Sequence, residues 1–299
     1  MRRRSAWLRL VRVAALPTAL ADVWLGAALV GRLRSPELLA VSGVSLALYA
    51  AGMILNDVHD LAWDREHNPT RPLPAGQVSR SAAVAVGLAL LLLAVAGAAL
   101  IGRRPLLVAA SIAVAVLGYD LVLKGGAVGP VNMAVCRGLN VVLGLAIGAP
   151  GRLLFHLPAA GAVFVYVAGV TWLARWEAGR RRRRPVAVAS VGIVLSAVLV
   201  VLLQHRAVRA AFGRQLAPSA GPLVFLQVVF GLLLAVVLWA VLRAVWSARD
   251  VRTIVRGLLR GIVPLQALVA LAHFRVLGMV CILGLLLPLL LLRKQSHVT

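Results

Sequence analysis

Carboxylates are scarce in this chain: nine Asp and Glu stand against 32 Lys and Arg in 299 residues, a formal charge of +23. Cysteines number two, Cys136 and Cys281. Both lie in apolar segments with no CxxC or paired Cys/His spacing, which argues against a disulfide framework and a structural zinc site. Charged residues make up 14% and aromatics 5% of the chain, while 62% is hydrophobic. A soluble domain carries roughly 45–50% apolar residues, so a soluble core is excluded. The strong positive charge would ordinarily suggest nucleic acid or an anionic surface. Here the basic residues are interrupted by apolar runs and form no groove with interleaved aromatics, so nucleic acid is not an expected partner.

What the chain does have is long aliphatic runs. About 18 mostly apolar residues suffice to cross a bilayer. The pattern predicts an all-α polytopic membrane bundle of nine spans, at 7–31, 37–56, 81–101, 105–123, 130–149, 153–174, 185–204, 220–242 and 263–292. The loops are short, so residues 1–299 read as one membrane domain. The Arg2-Arg3-Arg4 start is not a cleavable signal, because the following segment is too long and has no small-residue cleavage site. The last span is overlong and contains His273 and Arg275, the mark of a tilted helix, a broken one or two elements. Between Arg243 and Arg260 basic residues recur at near-helical spacing, which predicts an interfacial amphipathic helix. Basic residues gather on alternate loops: Arg65, Arg71 and Arg80, then Lys124, then Arg180 to Arg184, then Arg243 to Arg260. The positive-inside rule places those loops, and the N-terminus, in the cytoplasm.

Four of the nine acids fall within ten positions: Asp57, Asp60, Asp64 and Glu66. Asn56, Asp60 and Asp64 are spaced by four, so a helix continuing past the membrane surface lines them on one face, with Asp57 beside that stripe. Carboxylates held this way repel unless a cation sits among them, and hard oxygen donors suit Mg²⁺, which takes one or two carboxylates plus substrate phosphates. The alternative is a solvated loop whose acids pair with Arg65 and Arg71. The stretch Asn68-Pro69-Thr70-Arg71-Pro72-Leu73-Pro74-Ala75-Gly76 is stiffened by Pro and Gly and brings Arg71 back toward the carboxylates.

Asn56-Asp57, Asp60 and Asp64 followed by Arg71-Pro72-Leu73-Pro74-x-Gly76 resembles the first aspartate-rich motif of the UbiA superfamily of intramembrane prenyltransferases, NDxxDxxxD then RPLPxG. A second block agrees: Tyr119-Asp120 through Lys124, then Gly129-Pro130-x-Asn132 and Cys136-Arg137-Gly138-Leu139-Asn140 to Gly144. The wording of residues 129–144 is similar to the EboC-like branch. The resemblance implies prenyl transfer from a polyprenyl diphosphate to an unidentified acceptor within membrane lipid. Mg²⁺ would be held by Asp57, Asp60, Asp64 and Glu177. The diphosphate would meet Asn56, Arg71, Lys124, Arg137 and Asn140, and Tyr119 would face the allylic cation.

One departure stands out. Where the family carries a second aspartate motif, this chain reads Arg175-Trp176-Glu177-Ala178-Gly179 followed by five arginines, so only Glu177 remains as a ligand there. That leaves a rival reading open: a UbiA-related protein that binds or moves an isoprenoid lipid without catalysis. A secondary transporter fits less well, since transporter ion sites lie near the bilayer midplane and these acids lie at a span's end. Asp22 and Arg12 are expected to pair or to line the cavity; Gln266 and His273 are expected to satisfy a neighbouring helix, as lone polar residues in spans more often do, with contact to an acceptor as the alternative.

Overall fold

The computed structural model describes residues 2–119, 128–176, 183–212, 220–247, 250–273, 275–288 and 290–291. Helix α1 (Arg2–Leu10) ends at a kink where Arg12 takes a left-handed conformation (φ 53°), and a 3₁₀ turn leads into α2 (Leu16–Leu29). Then follow α3 (Pro36–His59), α4 (Leu61–His67), α5 (Arg80–Ile101) and α6 (Arg103–Gly118). The chain continues through α7 (Val128–Leu145), α8 (Pro150–Ala174), α9 (Arg183–Phe212), α10 (Ala220–Ser247), α11 (Val251–Ala272) and α12 (Val276–Gly284). The described residues are helical throughout, apart from their connecting turns.

Seven of these helices are long and apolar enough to cross a membrane, and two shorter apolar helical stretches, Val13–Leu29 and Val276–Pro288, accompany them. The outer faces show why they need lipid. On α5, Leu92, Leu93 and Leu100 are exposed, as are Val236 and Trp239 on α10 and Val280 and Leu287 toward the C-terminus. A soluble monomer rarely leaves apolar patches of that extent against water.

Helices α2 and α7 form the centre, contributing to both large apolar clusters. One cluster joins them to α8, α9 and α11, the other to α3, α5 and α6. Small residues permit this closeness. A Cβ on Gly26 of α2 would overlap the carbonyl of Val141, and one on Gly144 of α7 would overlap the carbonyl of Val23. Without a hydrophobic drive between helices in lipid, such backbone approach is a main source of packing energy.

The expected interfacial helix at Arg243 to Arg260 is not a separate element. Its second half is the first part of α11, which begins at Val251 and runs without a break to Ala272. Arg252, Arg256 and Arg260 lie on one stripe, whereas Val251, Ile254, Val255, Leu258 and Ile262 lie on another and are buried. The spacing of the arginines shows the exposed stripe but not that the neighbouring helices bury the opposite one. Asp250 caps α11, accepting from the Thr253 backbone N–H at 2.7 Å and its hydroxyl at 2.8 Å, and these bonds hold its carboxyl below the usual range. The overlong last span resolves into two elements, with α11 ending beside His273 and α12 starting after Arg275.

Candidate active site

The α3–α4 joint positions the acids. The backbone N–H of Asp60 donates to the Asn56 carbonyl at 3.0 Å, that of Asp64 to Asp60 at 2.8 Å, and that of Asn68 to Asp64 at 2.8 Å. Helical bonding therefore passes through the joint, and the expected stripe Asn56, Asp60, Asp64 survives. Along it, Asn56 Nδ2 reaches Asp60 Oδ2 at 3.4 Å, and Asn68 Nδ2 reaches Asp64 Oδ1 at 2.9 Å.

The three aspartates do not close on one point. Arg71 Nη1 lies 2.6 Å from Asp64 Oδ2 and 4.0 Å from Asp57 Oδ1, while Arg12 Nη2 lies 2.9 Å from Asp57 Oδ1. Among the described residues no group of three or more His, Cys, Asp or Glu side chains stands close enough to hold a metal ion. Two carboxylates this deep, with side chains 7% and 1% exposed, need countercharge, and the two arginines supply it. Asp60, hydrogen-bonded to Asn56 on the same stripe, is an oxygen donor of the type Mg²⁺ takes, and this ion needs only one or two carboxylates when phosphate completes its shell.

The Arg71 loop is held in place as the Pro and Gly pattern implies. Gly76 takes a positive φ of 66°, Ala75 N–H donates to the Arg71 carbonyl at 2.9 Å, and Leu73 is buried with Ala6, Leu10, Ile54, Leu61 and Val78. Arg9 of α1 donates to the Gln77 side chain. Loop and N-terminal helix therefore pack together over the acids.

Beside Asn56 opens a cavity between α3, α6 and α7. Asn56, Tyr119, Asn132, Arg137 and Asn140 line it together with apolar Leu48, Met53, Ile112 and Met133. Of the first sequence block Asn56 alone lines this cavity, beside Tyr119, Asn132, Arg137 and Asn140 of the second; Asp57, Asp60, Asp64 and Arg71 do not line it. Lys124 and Glu177 lie outside the described residues.

Arg137 and Asn140 are anchored from behind by Asp22, which has no exposed surface. Arg137 Nε stands 3.1 Å from Asp22 Oδ2, and its Nη2 donates to the Thr18 carbonyl at 2.8 Å. Asn140 Nδ2 donates to Asp22 Oδ2 at 3.2 Å and to the Ala19 carbonyl at 2.9 Å, and Gln266 Nε2 donates to Asp22 Oδ1. This corrects the expected Asp22–Arg12 pair and decides between the two readings of Gln266 and His273. Asp22 pairs with Arg137 rather than Arg12, because the left-handed kink turns Arg12 toward Asp57. Gln266 is spent on Asp22, and His273 sits beside His156, with ring centroids 5.1 Å apart, at the end of the bundle away from the acids; neither lines the cavity. The polar cluster joining α2, α7 and α11 was not expected; its only sequence signal was an Asp, an Arg and a Gln inside apolar runs.

The sequence profile of the UbiA prenyltransferase family matches residues 14–254. The chain is a member of the UbiA prenyltransferase family. It is a multi-pass membrane protein, as that membership requires. It is similar to the digeranylgeranylglyceryl phosphate synthase of Methanoculleus marisnigri, 34% identical over 136 residues, or 45% of this chain and 48% of that protein. The synthase of Saccharolobus solfataricus is 31% identical over 106 residues, 35% of this chain and 38% of that protein. The chain thus aligns with about half or less of the length of these curated relatives. Solved structures share its fold more fully. A digeranylgeranylglyceryl phosphate synthase structure superposes with a TM-score of 0.65 at 19% identity, covering 93% of this chain and 99% of that one. A UbiA homolog from Archaeoglobus fulgidus bound to DMAPP and Mg²⁺ gives 0.65 at 16% identity, covering 90% and 97%.

Proposed function

We propose that this chain is a Mg²⁺-dependent prenyltransferase, taking the prenyl group of a polyprenyl diphosphate and passing it to a lipid-phase acceptor. The observation that carries this reading is the convergence of Asn56, Tyr119, Arg137 and Asn140 on one largely apolar cavity, with Asp60 hydrogen-bonded to Asn56. An apolar cleft with polar groups at one end suits a molecule that is hydrocarbon along its length and diphosphate at its head. Family membership and the Mg²⁺- and DMAPP-bound homolog support it.

In this reading Asp60 and Asn56 hold the ion, with Asp57 and Asp64 as further oxygen donors of the same cluster. Bound Mg²⁺ would neutralise the charge that develops on the departing pyrophosphate. Arg71, Arg137 and Lys124 add fixed positive charge to that leaving group, Asn140 steadies Arg137's wall of the cavity, and Glu177 is a further candidate ligand. Tyr119 faces the allylic centre, and the apolar walls keep water from quenching the cation. The carboxylate end of the bundle, with the N-terminus, lies toward the cytoplasm by its basic loops, and the chain forms one membrane domain.

The acceptor class follows the curated relatives, whose name specifies a glyceryl phosphate product, so a phosphoglyceryl lipid is proposed. The EboC-like placement expected from residues 129–144 finds no support among those relatives. The rival, isoprenoid binding without transfer, is favoured by one observation: Asp57 and Asp64 are already neutralised by arginine. Incubating purified protein with radiolabelled geranylgeranyl diphosphate, Mg²⁺ and a phosphoglyceryl lipid separates the two. Label recovered in a larger ether lipid supports transfer; label retained as intact diphosphate on the protein supports the rival.

A further inference from the structure

Helix α3 presents Ser45, Leu48, Gly52 and Asn56 to the cavity, residues three and four apart that fall on one face of the helix. From Asn56 to Ser45 that face runs eleven residues, about 16 Å at 1.5 Å per residue. Facing it are Ile112 and Val116 of α6 and Tyr119 just past its end, again spaced by four and three. Along this wall Asn56 and Tyr119 stand at one end. Leu48 and Ile112, members of one buried apolar cluster, lie about two turns deeper.

Gly52 sits between these two levels and is the one position on this face of α3 without a side chain. A glycine inside a helix weakens it relative to alanine, so its presence there has a cause. Helix packing is not that cause. An added Cβ at Gly26 or Gly144 would overlap a carbonyl of the facing helix. One at Gly52 would meet, beyond its own helix, the two γ carbons of Val116 at 3.6 Å each, an ordinary contact. What a side chain at residue 52 would take up is the space between α3 and α6, which Gly52 bounds on one side and Val116 on the other.

That space lies where a prenyl chain has to pass. In the transferase reading, on which this inference rests, the diphosphate head is held beside Asn56. Residue 52 is four residues deeper, about 6 Å. An isoprene unit adds four carbon–carbon bonds to the chain, about 5 Å when extended. The first unit therefore ends near Gly52, and a longer chain continues between Gly52 and Val116 toward Leu48 and Ile112.

We propose that Gly52 and Val116 form a throat in the cavity, and that the missing side chain at residue 52 is what admits prenyl diphosphates longer than one isoprene unit.

The test is equilibrium binding, with Mg²⁺, of dimethylallyl and geranylgeranyl thiolodiphosphate to the purified full chain. These analogues carry one and four isoprene units on a head that resists ionisation. Gly52→Val is expected to weaken the long analogue about tenfold or more, the scale of a misplaced carbon in an apolar pocket, and to leave the short one within about twofold. Gly52→Ala should act in the same direction to a smaller degree without lowering the unfolding temperature, which a glycine required for packing would not allow. Gly52→Val/Val116→Ala, which trades bulk between the two walls, should regain the long analogue. That pattern in a protein that releases no pyrophosphate from the natural diphosphates would support the throat and sink the transfer reading. Equal weakening of both analogues, no weakening by Gly52→Val, or a double variant no better than the single one would each overturn the proposal.

Discussion

Asp22 is the most constrained charge described, fully buried with partners reaching it from α7 and α11. Taking two ions out of water costs several kcal/mol each, which their attraction and added hydrogen bonds must offset. Arg137, Asn140 and Gln266 meet that need. Asp22→Ala should therefore lower stability by about 3–5 kcal/mol, the cost of a buried charge left unpaired. Asp22→Leu/Arg137→Met should recover much of it, and thermal unfolding in detergent checks both. Asp64→Asn is expected to be milder, about 1–2 kcal/mol, because Arg71 is 38% exposed and water can solvate it. At this scale the site was legible in part. Asn56, Asp60 and Asp64 share a face because fourfold spacing in a helix compels it. That Arg71 and Arg12 would divide Asp57 and Asp64 between them was not legible, since a left-handed kink at Arg12 and a folded loop decide it.

Helix pairs carry the next level. The α2–α7 contact depends on Gly26 and Gly144, each facing a carbonyl of the other helix with no room for a methyl group. Gly144→Ala should force the two helices apart, cost about 1–3 kcal/mol as an overpacked contact, and disturb the Arg137–Asp22 pair about two turns away along α7. Loss of activity accompanied by a lower unfolding temperature, with Gly257→Ala on an open face as the silent control, checks this. Most helices were legible, because aliphatic runs of span length have few alternatives. The start of α11 was not: its arginine stripe masked the buried one, and only the neighbouring helices reveal which side faces the protein.

At the scale of the molecule, the acids, the Arg71 loop and the polar wall of the cavity meet at one end of the bundle, while His156 and His273 sit at the other. If basic loops set the orientation, a cysteine at Gln77 should react with a membrane-impermeant maleimide only after the cells are opened; labelling in intact cells would invert the topology. Ionisation of a prenyl diphosphate with Mg²⁺ at Asp60 is the step proposed for this end of the bundle. Its most direct test is pyrophosphate release from geranylgeranyl diphosphate by the purified chain and by Asp60→Asn. Release that requires Mg²⁺ and falls at least about a hundredfold in the variant, the scale of losing one charge-stabilising contact, is the predicted result. Release that is indifferent to Mg²⁺, or unchanged in Asp60→Asn, would contradict it.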